Sequence, residues 1–363
     1  MSVTTAPERP DPKLSATPPS LHQPKLPRWA GYAALGALLC LAAVLYVGFG
    51  LPLAGSVVVA WLVCGIAYPL WSLVVEGTRK ATDRLVTVGV LSAFALALVP
   101  LVSIIQKVVV EGAGILNAEF LTYSMRNIIG EQQGGIYHAL IGTLLITAGA
   151  TVISVPIGLF TAIYLVEYAR DNRLGRWIRF LVDVMTGIPS IVAGLFAYSL
   201  FVALLEPGIR LGIGGSVALS VLMVPVVVRS CEEMLKLVPN ELREASYALG
   251  VPKWRTIVRV VIPTALAGIV TGITLAIARI IGETAPLLLI AGTTTSTNFN
   301  LFDGNMMTLP VFAYSEVTSP GMHAELSLDR AWGAALVLMI IVMLLNLIAR
   351  VVSYMFSPKG ERS

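Results

Sequence analysis

Residues 277–289 read IARIIGETAPLLL, and inside this apolar run Arg279 and Glu283 stand four residues apart, the spacing of one helical turn. A guanidinium is always charged and offers five N–H donors in a planar fork, while a carboxylate only accepts. Two kinds of chemistry fit. The pair can be an ion pair that fixes one helix against another, or Arg279 can attract an anion that passes, with Glu283 competing for the guanidinium so that the ion is not trapped. An ionisable side chain placed in lipid costs roughly 2.5 to 3.5 kcal/mol on insertion scales, so either role has to compensate that cost. Three hydroxyls accompany the pair: Thr284 beside Glu283, and Thr186 and Ser190 in a second Gly/Pro-containing segment. Each can donate to an oxyanion or turn back onto a carbonyl of its own helix.

Little else in the chain could do chemistry. It has no G-x-x-x-x-G-K-[ST] phosphate loop, no H-E-x-x-H, no G-x-S-x-G and no grouping of His, Cys and Asp, which excludes autonomous catalysis and nucleotide binding of those kinds. Cys40, Cys64 and Cys231 are isolated from one another and from the three histidines, so they read as packing residues rather than disulfide or metal ligands.

The elements that must position these residues are membrane helices. Of 363 residues 56% are hydrophobic and 13% charged, and the mean hydropathy is +0.82, outside the range of soluble globular proteins. The pI near 9.0 and net charge of +4 therefore matter less than where the basic residues fall. Residues 1–28 hold seven prolines and no apolar run, the composition of a solvated tail. The apolar run that follows lacks a small-residue cleavage site and reads as a retained membrane helix. Eight stretches are long enough to span: 29–49, 52–75, 85–108, 138–167, 180–205, 212–228, 262–290 and 331–353. With a cytoplasmic amino terminus, the inner segments collect 20 of the 25 basic residues and the outer segments keep Lys107, Arg126, Arg210 and Arg330. Arg279 is the one left inside a span.

Two spans carry interruptions. Pro286 removes the amide that would bond to the Gly282 carbonyl, and Gly282 tolerates the bend; in the fifth span Gly187 and Pro189 precede Ser190. Such backbone at membrane depth must face protein or water. On the inner side, residues 238–263, VPNELREASYALGVPKWRTIVRVVIP, read as two short helices, the first capped by Asn240 and ended by Gly250 and Pro252. Its Leu242, Ala245, Ala248 and Leu249 make a small apolar face suited to a partner's groove. Asp183 is expected to pair with Arg179 at i, i+4.

Glu244-Ala245-Ser246, Gly250 six residues after the glutamate, and Val260-Val261-Ile262-Pro263 resemble the cytoplasmic loop of ABC importer permeases, with Ser246 in place of the usual second alanine. The stretches GGIYHALIGTLLIT (134–147), TGIPSIVAGLF (186–196), ARIIGETAPLLLIAG (278–292) and MMTLPVFAY (306–314) are similar to the phosphate-specific branch, in particular its A-type (PstA) permease family. The resemblance spans most of residues 115–355. It implies an all-α polytopic bundle of about eight transmembrane helices with type I importer permease architecture, in the bacterial cytoplasmic membrane with both termini cytoplasmic. It also implies a coupling helix around Glu244, Ala245, Ser246 and Gly250 that seats in a separate ATPase dimer of PstB type. That partner would use ATP and Mg2+, and this chain would bind no cofactor or metal. A second permease of PstC type and an extracytoplasmic phosphate-binding protein of PstS type complete the implied assembly. Arg279, with its two parallel donors, and the hydroxyls of Thr284, Ser190 and Thr186 would then meet phosphate along its path. Sulfate or molybdate as cargo, and the C-type permease as identity, stay open as alternatives. The family usually has six spans, so the first two helices, 29–75, read as a peripheral hairpin added in front of a permease domain at 85–355.

Overall fold

The computed structural model describes residues 26–27, 29–128, 132–169, 172–321 and 323–356. The proline-rich tail expected at 1–28 lies outside them except for Leu26 and Pro27. Among the described residues every regular element is a helix, and seven helices are long and apolar enough to cross a membrane, or eight if one bent pair counts as a span.

The chain divides into two compact units, residues 1–103 and 104–363. The first holds α1 (Ala30–Phe49), α2 (Leu53–Glu76) and most of α3 (Thr78–Ile115). Its apolar side chains point outward: Tyr32, Leu35, Val47 and Val74 are all exposed, as lipid-facing residues are. Its polar anchor is Glu76. One carboxylate oxygen accepts from the Leu26 amide at 2.8 Å, and the other accepts from Ser72 at 2.8 Å and pairs with Arg84 at 2.8 Å. Arg84 in turn lies over the Tyr68 ring, 5.0 Å from its centroid. A carboxylate in so apolar a helix is retained because both of its oxygens are hydrogen-bonded and its charge is paired.

The second unit continues with α4 (Ala118–Thr122), α5 (Tyr137–Ile163), α6 (Arg173–Thr186), α7 (Ser190–Leu204), α8 (Gly212–Lys236) and α9 (Asn240–Ala248). It closes with α10 (Lys253–Thr256), α11 (Ile262–Ile280), α12 (Ala285–Ile290), α13 (Leu309–Thr318) and α14 (Ala324–Phe356). Its spine is the parallel pair α5 and α8, where small residues let backbones approach closely: a side chain at Gly158 would strike Val227, and Ser216 donates to the Ile146 carbonyl at 3.0 Å. Two π-helical turns interrupt regular winding at the same end of this unit, Tyr164–Tyr168 after α5 and Ile257–Val261 between α10 and α11.

Two spans and one loop helix differ from the sequence expectation. The sixth was expected short, at 212–228, but α8 continues to Lys236 because Glu232, Glu233 and Lys236 extend it beyond the apolar stretch. The fifth is not one helix with a kink: α6 and α7 meet at 106° across Gly187–Pro189. The second short helix of the 238–263 loop is not separate, since α10 runs through its π turn into α11.

Candidate functional site

The 238–263 loop is held from within by one arginine. Arg243 is buried, and its Nε and Nη2 donate to Glu167 Oε1 at 3.0 and 2.9 Å. Its Nη1 donates to the Val238 carbonyl at 2.6 Å and its Nη2 to the Leu235 carbonyl at 3.0 Å. Glu167 sits in the π turn after α5, and Lys253 donates to its carbonyl while lying 4.6 Å from the Tyr168 ring centroid. Ser246, on the same side of α9, shares a 2.8 Å hydrogen bond with Thr256. Both inward-facing polar residues of α9 are therefore fixed to the bundle.

The other side of α9 is free. Leu242 and Tyr247 are each 41% exposed and Leu249 83%, and Glu244, Ala245 and Ala248 are exposed with them. The helix starts directly after Pro239, so Asn240 is its first residue rather than its cap. It ends as expected at Gly250, whose φ of +72° allows the Tyr247 carbonyl to accept from Gly250 at 2.9 Å and the Ser246 carbonyl from Val251 at 3.2 Å.

A second charged cluster ties α6 to the end of α8. Buried Glu232 accepts from Arg179 at 3.1 Å and from Lys236 at 2.8 Å, and Arg179 also donates to the Leu165 carbonyl at 2.9 Å. The expected i, i+4 pair of Arg179 with Asp183 is replaced: Asp183 pairs with Arg229 of α8 instead. A buried carboxylate on a neighbouring helix outcompetes an exposed one on the same helix, because its charge is less screened.

The segment that carries Arg279 is more open than its sequence suggests. α11 ends at Ile280, one residue after Arg279, and α12 begins only at Ala285 with Pro286 in its first turn. Glu283 thus lies in the break and does not share a helical face with Arg279. Arg279 is exposed and Glu283 half-buried, and among the described residues neither has an ion-pair or hydrogen-bond partner. The expected competition between the two is absent from this structure because the helix unwinds between them. Gly282 is exposed, has room for a side chain and does not adopt a positive φ, so the break does not depend sterically on its being glycine.

The two interrupted segments come together. α7 packs on α12 so closely that a Cβ at Gly194 would lie 2.6 Å from Pro286 Cα, which puts Ser190, one turn before Gly194, and Thr284, two residues before Pro286, on neighbouring elements. The hydroxyls of Ser190 and Thr284 have no partner among the described residues. Thr186 is different: its hydroxyl donates to the Val182 carbonyl at 2.9 Å, so its one proton is already committed. Glu167, Arg243 and Glu232 were missed by sequence reasoning. The available signal was a lone carboxylate, Glu167, closing the apolar run 138–166.

These features define a polytopic helical membrane protein that offers a firmly mounted amphipathic helix at one end and a broken helix with an exposed arginine, unpaired among the described residues, at the break. The description "Binding-protein-dependent transport system inner membrane component" belongs to a family model that matches residues 154–361. A phosphate transport system permease protein PstA 1 of Mycobacterium tuberculosis is 48% identical over 278 residues, covering 76% of this chain and 90% of that protein. PstA of Mycobacterium leprae is 47% identical over 271 residues (74% and 88%), and PstA of Yersinia pestis 40% over 279 residues (76% and 92%). The chain belongs to the PstA family of ABC transporter permeases. A solved inward-facing form of the MetNI methionine ABC transporter is also similar, at 21% identity and a TM-score of 0.49 over 62% of this chain and 95% of that one.

Proposed function

We propose that the chain is the A-type membrane permease of an ATP-driven importer that carries inorganic phosphate across the bacterial cytoplasmic membrane. The observation that carries this reading is α9, pinned through Arg243 to Glu167 at the end of α5 while Leu242, Ala245 and Leu249 face outward. A helix so mounted can receive a push from a separate ATPase dimer and pass it to the bundle without flexing. The cargo follows from the relatives' names and from the chemistry of the break: an oxyanion leaving water needs a guanidinium and neutral donors, which Arg279, Ser190 and Thr284 supply. Thr186 has no role in this reading. A second permease, an external phosphate-binding protein and cytoplasmic termini belong to the same proposal, as does the division into an added hairpin at 29–75 and a permease domain at 85–355.

The test is uptake by the reconstituted complex, with labelled phosphate in competition with sulfate and molybdate. Phosphate transport that excess sulfate and molybdate leave unchanged is expected. Equal competition by either overturns the cargo, and uptake that continues without the ATPase overturns the drive.

A further inference from the structure

The outer face of α6 carries basic and aromatic side chains together. Arg173, Arg176, Trp177 and Phe180 fall at positions i, i+3, i+4 and i+7, so they form one stripe. They line a concavity of about 440 Å³. Trp177 and Phe180 meet edge to face with ring centroids 5.8 Å apart. Leu174, Leu181 and Val184, all at least half exposed, extend the apolar surface beside them. Two charges of α6 are paired with α8, Arg179 to Glu232 and Asp183 to Arg229. The other two, the exposed Arg173 and Arg176, have no partner among the described residues. The helix also turns 106° from α7, so that if α7 runs across the bilayer α6 lies near its plane.

We propose that this stripe binds the phosphodiester headgroup of an anionic phospholipid, with Arg173 and Arg176 on the phosphate and Trp177 and Phe180 against the glycerol and upper acyl chain. Basic residues next to exposed aromatics on one helix face are the composition of an interfacial site. Charge complementarity selects the anionic lipid: both guanidiniums are exposed, and among the described residues neither has an acidic partner. A free phosphate ion would use the arginines but leave the aromatic wall and the apolar flank without a function. A protein partner would require acidic groups to be buried against both arginines.

The experiment is native mass spectrometry of the assembled transporter in a neutral detergent, titrated with phosphatidylglycerol or phosphatidylcholine. Phosphatidylglycerol should bind this subunit in preference, and Arg173→Gln with Arg176→Gln should weaken that binding roughly 10- to 30-fold, while Arg173→Lys with Arg176→Lys keeps it within about threefold. Photoreactive phosphatidylglycerol on the unmodified complex should label residues 173–184, a readout that does not depend on any variant folding. Unchanged phosphatidylglycerol binding in the glutamine variant overturns the proposal, and so does labelling confined to other helices. Displacement of the lipid by millimolar inorganic phosphate would make this a site for the free ion, and loss of the second permease from the glutamine variant would make it a subunit contact; both also overturn it.

Discussion

Arg243 and Arg279 are the two arginines on which this molecule's reading turns, and each stands where its local sequence does not lead. Arg279 sits in an apolar run and is exposed, with no partner among the described residues. Arg243 sits in a polar loop and is buried, its side chain 7% exposed and bonded to Glu167, 76 residues away in sequence. Local hydropathy says which solvent a segment meets, but not which side of the segment a residue faces. Arg243 follows the helical period of α9 inward, onto the ends of α5 and α8. Arg279 comes at the end of α11, where the carbonyl end of a helix favours a cation and the unwinding beyond it leaves the side chain outside. One arginine is structural because its bonds are complete. The other is available because its bonds are not.

The sharpest way to break this comparison is at the buried pair. Arg243→Ala leaves Glu167 as an uncompensated buried carboxylate, a change that costs about 3 to 5 kcal/mol in comparable pairs. Early thermal unfolding, proteolysis of the 238–263 loop and loss of the ATPase during purification are expected. Restoring much of the stability with Arg243→Met and Glu167→Met together would show that pairing, not either charge, matters; no gain over the single variant would refute it. Arg279→Gln comes next and should act on transport alone. A hydrogen bond to a charged group contributes about 1.5 to 3 kcal/mol, so phosphate uptake should fall roughly 10- to 100-fold with subunit stoichiometry and melting temperature unchanged. Normal uptake would remove Arg279 from the path, and a lost subunit would make it a packing residue.

Much of the fold was legible because membrane helices are encoded by composition. Eight apolar stretches correspond to seven long helices and one bent pair, and the fold class follows from them. The end of α9 was legible too, since Gly250 is required by a left-handed backbone that few residues accept. The Arg243 and Glu167 pair was not, because it joins distant segments through a π turn, and no local period marks such a turn. The Arg179 and Glu232 contact was hidden for the same reason, behind a plausible i, i+4 alternative at Asp183. The break after Ile280 was half legible: Pro286 marked it, but the close packing of α7 on α12 at Gly194 joins segments distant in sequence and left no local sign.

A smaller effect is expected at Gly250. Alanine there takes a backbone with φ of +72° at a cost of about 1 to 2 kcal/mol, and asparagine, which tolerates that region, at less. The end of α9 would loosen while Arg243 keeps its start in place. Phosphate moved per ATP hydrolysed should drop about two- to fivefold in Gly250→Ala and recover in Gly250→Asn. An unchanged ratio in the alanine variant would mean that only the Arg243 end of α9 transmits force.

The smallest effect is expected at Glu283, and it tests the comparison at its weaker end. If Glu283 competed for the Arg279 guanidinium, Glu283→Gln would free the arginine, tighten phosphate binding in the path and slow its release. The structure separates the two residues by a helix end and shows no ion pair between them. A carboxylate without a close partner and with partial access to solvent contributes about 0 to 1 kcal/mol, so the change in apparent affinity and in turnover should stay below about fivefold. Uptake measured over a range of phosphate concentrations separates the outcomes. Tighter apparent binding with turnover reduced tenfold or more would mean that α11 and α12 rejoin into one helix during the cycle and bring Glu283 onto Arg279. The arginine that is free in this structure would then be free only in this state, and the contrast with Arg243 would be one of timing rather than of place.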